Sequence, residues 1–386
     1  MFRAGFPGQA HCTLVLALFA TMACSAENAP PGTGPNGGQS GTGGGAAGSS
    51  AGQAGGGSPS VGGGGAGGVA TGGAGSGNAG TAGSSAGAAG SAGAGGSAGS
   101  GGAEVEPGYG PPPREIMIQG NSPVSISFTP ADAAPGATSF HGGDQQARFN
   151  PGAPSIQKKL VIGLGGVGTG PHNGGGLGWA ADRGYHTIGL DYFNESGGDQ
   201  GLNYRESWSG EDVGDGNVGE INSIMNRVKT GLAFLQAQDP GSDWAYYLDA
   251  DGNVRWNDVI VFGYSFGGQT GAAGTKYVAL HRVVATSAPG ISEEAAWVSE
   301  MPNVTPGTRS FTISGTDDGG HANHMATATR LGWPGAEINT SASTPPYDDS
   351  HLLAVDFGHS EFCSLPQDVL ANADEVCEWA FGYTPP

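Results

Sequence analysis

Cationic side chains, cysteine and long apolar runs are scarce in this chain, and each scarcity excludes something. Lys and Arg number 14 among 386 residues, against 34 Asp and Glu, for a formal net charge of −20. Nucleic-acid binding is dominated by phosphate neutralisation, so this balance speaks against a nucleic-acid partner. The four cysteines offer no cluster with the spacing of a zinc site. The longest apolar run, "TLVLALFATMA" at Thr13–Ala23, is too short to span a bilayer. From Asn28 to Ala103 there is no charged and no aromatic residue. A Gly/Ala/Ser tract of this kind cannot bury enough apolar surface to offset its ordering entropy.

What is present divides the chain in three. Residues 1–23, with Arg3 ahead of the apolar run, read as a signal peptide. Cys24 follows small residues at the end of that run, in a stretch that resembles a bacterial lipobox, although Thr21 stands where leucine is usual. The resemblance implies a lipidated Cys24, with simple cleavage and release as the alternative. Residues 24–103 then form a flexible tether whose root-mean-square reach is roughly 50 Å. Residues 104–386 suit one large domain. The expected location is therefore outside the cytoplasm, as a secreted or cell-envelope lipoprotein, with membrane contact only through the lipid. In an oxidising compartment the remaining pair, Cys363 and Cys377, is expected to form a disulfide. Closing a loop of roughly 15 residues, it would contribute about 3 kcal/mol in the chain-entropy view.

Along the domain, short β-rich runs alternate with helical patterns. Eight strands are expected: 115–120, 124–130, 158–163, 186–192, 258–263, 282–288, 309–314 and 352–358. The later ones are continuous apolar runs, as in strands buried on both faces. The clearest helix is Asn217–Gln238, where Ile221, Ile224, Met225, Val228, Leu232 and Leu235 form one stripe. Others are expected after Gly267, Gly320 and Pro366. The order implies a mainly parallel sheet with helices on both faces.

Two glycine patterns carry chemistry. "VIVFGYSFGG", Val259–Gly268, contains a G-x-S-x-G match at Ser265. The same match occurs three times in the tether, at Ser50, Ser85 and Ser97, so the pattern counts only through its setting. Here it lies between a buried strand and a segment able to form a helix. The second pattern is Gly163-Leu164-Gly165-Gly166-Val167-Gly168, after a strand. With Asp191 some way downstream it has the spacing of a dinucleotide fingerprint. That motif needs a helix starting within the glycines, and "TGPHNGGG" follows instead. The other reading is an oxyanion loop, where glycines let backbone N–H groups face a developing negative charge.

A serine nucleophile needs a base, and the base needs an orienting carboxylate. "RSFTISGTDDGGH" places Asp317 and Asp318 just past a strand, and the Gly-x-x-Asp spacing favours Asp318, with Asp317 as the alternative. "HLLAVDFGHSEF" places His359 just past the last strand, while His351 precedes that strand, at the wrong end of the sheet.

From about Leu160 to the C-terminus the sequence resembles the α/β-hydrolase superfamily, on "GLGG", "GYSFGG", "SGTDD" and "FGHSEF". It looks most like exported bacterial hydrolases of esterase type. Its glycine loop lacks the His-Gly form of many lipases and esterases. The resemblance implies a Ser265–His359–Asp318 triad and an oxyanion hole from Phe266 N–H and Leu164 N–H, with Gly165 next. It also implies no metal, no organic cofactor, a small-molecule or polymeric ester substrate, and a monomer. A non-catalytic envelope binding module on the same fold is the second class.

Three further features are weighed. "DADGN", 249–253, lacks the Gly and Glu positions of a calcium loop and reads as a polar hairpin turn. His321 and His324 are spaced i, i+3 and lack the i, i+4 metal pattern. The acidic, glycine-rich segment 194–216, with Tyr204 and Trp208, reads as a long loop that either lines the site mouth or is merely solvated.

Overall fold

The computed structural model describes residues 114–195, 200–213, 218–291, 301–383 and 385, all within the unit Gly96–Pro386. The leader, Cys24 and the tether lie outside the described residues.

Among the described residues nine strands form one sheet: β1 (Val124–Phe128), β2 (Gln145–Phe149), β3 (Leu160–Leu164), β4 (His186–Leu190), β5 (Val259–Tyr264), β6 (Arg282–Thr286), β7 (Ser310–Gly315), β8 (Ile338–Asn339) and β9 (Leu352–Val355). Their spatial order is β1-β2-β4-β3-β5-β6-β7-β9-β8. The β1–β2 and β2–β4 pairs are antiparallel and the others parallel. The helices are α1 (Pro130–Ala133), α2 (Gly175–Asp182), α3 (Gln200–Ser209), α4 (Gly219–Asn222), α5 (Ile224–Gln238), α6 (Phe266–Gly274), α7 (His321–Arg330) and α8 (Ala373–Phe381).

Successive strand residues point to opposite faces. Leu160, Ile162, Leu164, Val259, Val261, Val283 and Ala285 meet the stripe Ile224, Val228, Leu232 and Leu235 of α5, and Met325 and Ala328 of α7. Val161, Ile260, Phe262, Val284, Phe311 and Ile313 meet Leu177 and Ala180 of α2, and Val376, Ala380 and Phe381 of α8. Each such aliphatic or aromatic side chain contributes about 1.5–3 kcal/mol on burial. The central strands read as unbroken apolar runs because both faces are covered.

The expected mainly parallel sheet is present, but with nine strands rather than eight. Residues 115–120 are not a strand. They are held by loop residues instead: the Arg114 guanidinium and Met117 N–H bond the Asp243 carboxylate, and Gln119 N–H donates to Gly241 O at 2.7 Å. The missing strand is β2, "QQARF", whose buried positions are Gln145, Ala147 and Phe149. The two-residue β8 sits at the sheet edge. The helix expected over 217–238 is broken at Ser223, which is extended (φ −63, ψ 151) and caps α5 by accepting Asn226 N–H. Within segment 194–216, Gln200–Ser209 form α3 and not a loop, while 196–199 and 214–216 lie outside the described residues. Trp208 is fully buried and its Nε1–H donates to Thr270 O at 2.7 Å on α6. "DADGN" is the expected polar turn, with Asp249 accepting Asp251 and Asn253 N–H between the paired Leu248 and Val254. No helix among the described residues is long and apolar enough to cross a membrane.

Candidate active site

Ser265 is the single residue between β5 and α6. Its backbone sits at φ 54, ψ −121, a conformation that costs of order 1–3 kcal/mol for a residue with a side chain. The surroundings enforce it. Ser265 N–H donates to Thr286 O of β6 at 2.9 Å, and its carbonyl accepts Gly268 and Gln269 N–H at 2.9 and 3.2 Å. The turn is sharp enough to exclude side chains beside it. A Cβ on Gly263 would lie 2.3 Å from Gly267 O, and one on Gly267 only 2.0 Å from Leu164 O. The glycines of G-x-S-x-G are thus required by contacts between β5, α6 and the end of β3. Phe266 N–H, at the start of α6, is among the helix N–H groups left without an intrahelical partner.

The glycine loop after β3 passes over this turn. Leu164 ends the strand, paired with Leu190 and Gly263, and is fully buried. Gly165 O accepts Tyr192 O–H at 2.7 Å. Gly166 O accepts Asn194 Nδ2–H at 2.8 Å and Thr169 Oγ1–H at 2.7 Å. In a trans peptide the next N–H points opposite its carbonyl, so the Gly166 and Val167 N–H groups face away from these anchors. Gly166 is the loop residue set against the serine: a Cβ there would lie 3.6 Å from Ser265 Cβ. Sequence reasoning named Leu164 and Gly165 and passed over Gly166, whose place only the loop's anchoring reveals.

The dinucleotide pattern has neither of its structural supports. After β3 no helix starts until Gly175. The buried Asp191 carboxylate accepts Phe140 N–H at 2.8 Å and faces Arg227 Nη1 at 3.9 Å, tying the 138–141 segment to the sheet.

Asp318 follows β7 and His359 follows β9, adjacent strands whose carboxyl ends lie side by side. His359 Nδ1–H donates to Asp318 Oδ2 at 2.7 Å, and Gly320 N–H donates to Oδ1 at 2.8 Å. Burial alone would raise the Asp318 carboxyl, but the Gly320 N–H and His359 together hold it below the ordinary range. Asp317 is exposed, and its backbone N–H bonds Phe357 O. Of the two neighbouring carboxylates, Asp318 is the one hydrogen-bonded to the imidazole. The His359 ring stands 5.2 Å from that of Tyr264, the residue before the serine. Among the described residues no hydrogen bond joins Ser265 Oγ to His359. His351 is buried at the far end of β9, stacked on Phe311 with Nδ1 2.9 Å from Ser310 O.

Two ties that the sequence does not announce, and the disulfide that it does, hold the His359 loop. Ser287 Oγ accepts Ser360 N–H at 2.9 Å and donates to Ser360 O at 3.0 Å. Glu361 accepts Gly176 N–H at the start of α2, and its other oxygen lies 3.2 Å from His172 Nε2. The Cys363–Cys377 disulfide joins the loop to α8, with Cα atoms 5.6 Å apart. His321 and His324 do not converge on a common vacancy; both direct Nδ1 at Ser314 Oγ. No group of three or more metal-ligating side chains gathers among the described residues.

With its mostly parallel sheet, helices on both faces, and a serine at the sharp turn between a central strand and its helix, the fold is that of the α/β-hydrolases. No model of a known protein family and no curated protein matches the chain. Solved structures similar to it include an α/β serine hydrolase without lid from Xanthomonas campestris, at 12% identity over 68% of this chain and 97% of that one, TM-score 0.34. An S-formylglutathione hydrolase from Staphylococcus aureus is 11% identical over 64% and 93% of the respective chains, TM-score 0.34. Esterase B from Lactobacillus rhamnosis is 10% identical over 69% and 87%, TM-score 0.35.

Proposed function

We propose that the chain is a serine hydrolase that cleaves an ester or related acyl bond through a Ser265–His359–Asp318 triad. One observation carries the reading: a serine held at φ 54 between β5 and α6 stands at the same sheet end as a hydrogen-bonded histidine–aspartate pair.

In this reading Ser265 Oγ attacks the acyl carbonyl carbon while its proton passes to His359 Nε2. Asp318 keeps the other ring hydrogen on Nδ1, so that Nε2 is free to accept. Phe266 N–H and an N–H of the glycine loop take the oxyanion. Leu164 and Gly165 remain candidates for the loop donor, and Gly166 joins them because it adjoins the serine. The carbon–oxygen bond to the leaving group then breaks, and His359 returns its proton to that oxygen. Water, deprotonated by His359, attacks the acyl-enzyme; the acid departs and Ser265 regains its hydrogen. No metal or organic cofactor enters these steps.

We further read the chain as exported, with lipidated Cys24 and the tether holding the domain at a membrane surface. Incorporation of a radiolabelled fatty acid by wild type, and its loss in Cys24→Ala, would test this.

The enzyme reading is tested with a fluorophosphonate probe. Wild type should be labelled and Ser265→Ala should not. Absence of labelling in well-folded wild type overturns the reading and leaves a binding role on the same fold.

A further inference from the structure

His324 is a buried imidazole that these steps do not use. It lies in the first turn of α7, with Nδ1 4.0 Å from Asp318 Oδ2. That is the same oxygen that accepts His359 Nδ1–H. The triad carboxylate is therefore set between two imidazoles, His359 exposed and His324 buried.

The proton on His324 can be placed from its partners. Ser314 Oγ is 2.9 Å from His324 Nδ1 and 3.0 Å from His321 Nδ1. A hydroxyl has one hydrogen and two lone pairs, so at most one ring receives its hydrogen and at least one ring donates to it. The far end of the chain decides which. His321 Nε2 is 3.0 Å from Glu337 Oε1, and an ionised carboxylate only accepts. Where His321 donates to Glu337 from Nε2 alone, its Nδ1 takes the Ser314 hydroxyl hydrogen. Ser314 is left to accept, and His324 donates from Nδ1. Burial pushes His324 down to about 4, against the pull of Asp318, so near neutral pH it holds that one ring hydrogen and no charge.

We propose that His324 is a positioning residue for the hydrolytic reaction, its Nδ1–H held toward Ser314 and Asp318 by the Glu337–His321–Ser314 chain so that it orients the carboxylate and tempers its charge toward His359. The proposal rests on the Ser265–His359–Asp318 reading, because His324 acts only through Asp318. Without the Nδ1–H dipole the carboxylate presents more negative charge to His359, and protonation of that imidazole becomes easier. The acid limb of the kcat/KM profile then moves to higher pH, and a less restrained Asp318 lowers kcat without touching substrate binding.

The test compares His324→Leu, which removes the donor, with His324→Asn, whose amide nitrogen can stand near the Nδ1 position. Each is made alone and with Asp318→Asn, and melting temperatures confirm folding. Fluorophosphonate labelling of wild type against Ser265→Ala decides the parent reading separately. Given labelling, His324→Leu should lower kcat roughly tenfold, as for residues coupled within one network, with KM within about twofold. Its acid limb should rise by about half a pH unit. His324→Asn should restore most of both, and His324→Leu should add nothing in the Asp318→Asn background. An unchanged acid limb in folded His324→Leu overturns the proposal. So does an undiminished loss in the Asp318→Asn background, or a failure of His324→Asn to recover what Leu loses.

Discussion

Under the proposed triad, replacing Asp318 by Asn should abolish ester turnover through the ring hydrogen of His359, not through loss of fold. Asp318 Oδ1 accepts Gly320 N–H at 2.8 Å and Oδ2 accepts His359 Nδ1–H at 2.7 Å, on a side chain only 7% exposed. An amide has one acceptor to serve these two donors. If its oxygen keeps Gly320, its NH₂ faces His359 Nδ1. The imidazole can avoid a donor–donor clash only by moving its hydrogen to Nε2, the atom that must take the Ser265 proton. If the amide turns the other way, Gly320 N–H loses its acceptor in a buried turn, at about 1–3 kcal/mol. The same substitution in another serine-hydrolase triad lowers kcat about 10⁴-fold, which corresponds to about 5 kcal/mol of transition-state stabilisation. A loss of that order is expected here. Asp317→Asn, on an exposed side chain, should stay within about twofold of wild type. Turnover of a p-nitrophenyl ester series and the second-order rate of fluorophosphonate labelling would measure both, with melting curves as the control for folding. A larger loss in Asp317→Asn than in Asp318→Asn, or a loss under tenfold in Asp318→Asn, would refute the assignment.

Other expectations concern the scaffold. Gly267→Ala should abolish probe labelling and lower stability by about 1–3 kcal/mol, because its Cβ would lie 2.0 Å from Leu164 O; a labelled variant with wild-type stability would show that the turn can relax. Reducing the Cys363–Cys377 bridge should cost about 3 kcal/mol and lower activity through the His359 loop, and an unchanged melting temperature together with unchanged activity would count against that link. Burial pushes His186 down from 6.5 to about 4, so the unfolded chain takes up this proton first as pH falls. The contribution is whole above about pH 6.5 and is lost progressively toward pH 4, amounting to about 3 kcal/mol. Denaturant melts between pH 7 and 4.5 should show the decline; a flat or rising profile would contradict it.

Much of the fold was legible along the chain. β5 and β7 are continuous apolar runs because helices cover both faces of the sheet, and that arrangement leaves a local signature. The Ser265 turn was legible for a related reason, since its glycines answer clashes within a few residues of the serine and with the neighbouring β3. β2 was not legible, because its buried alternation begins with Gln145 and passes over Arg148. α3 was hidden in acidic, glycine-rich sequence. Its Trp208 indole fills the space that a side chain on Gly274 would occupy, a contact no local pattern announces.

Residue order alone placed a serine after one buried strand, aspartates after another, a histidine after the last, and two cysteines beyond. Those assignments rest on strand ends and turn residues, which are local. The folded chain alone shows which of the adjacent carboxylates meets His359: Asp318 does, where β7 and β9 end side by side. It alone revealed Gly166 beside the serine, Ser287 gripping Ser360, Glu361 bridging to α2, and His324 behind the acid. Each joins segments far apart in the chain, and their side chains carry no local pattern, since what selects them is the partner that folding brings within hydrogen-bond reach.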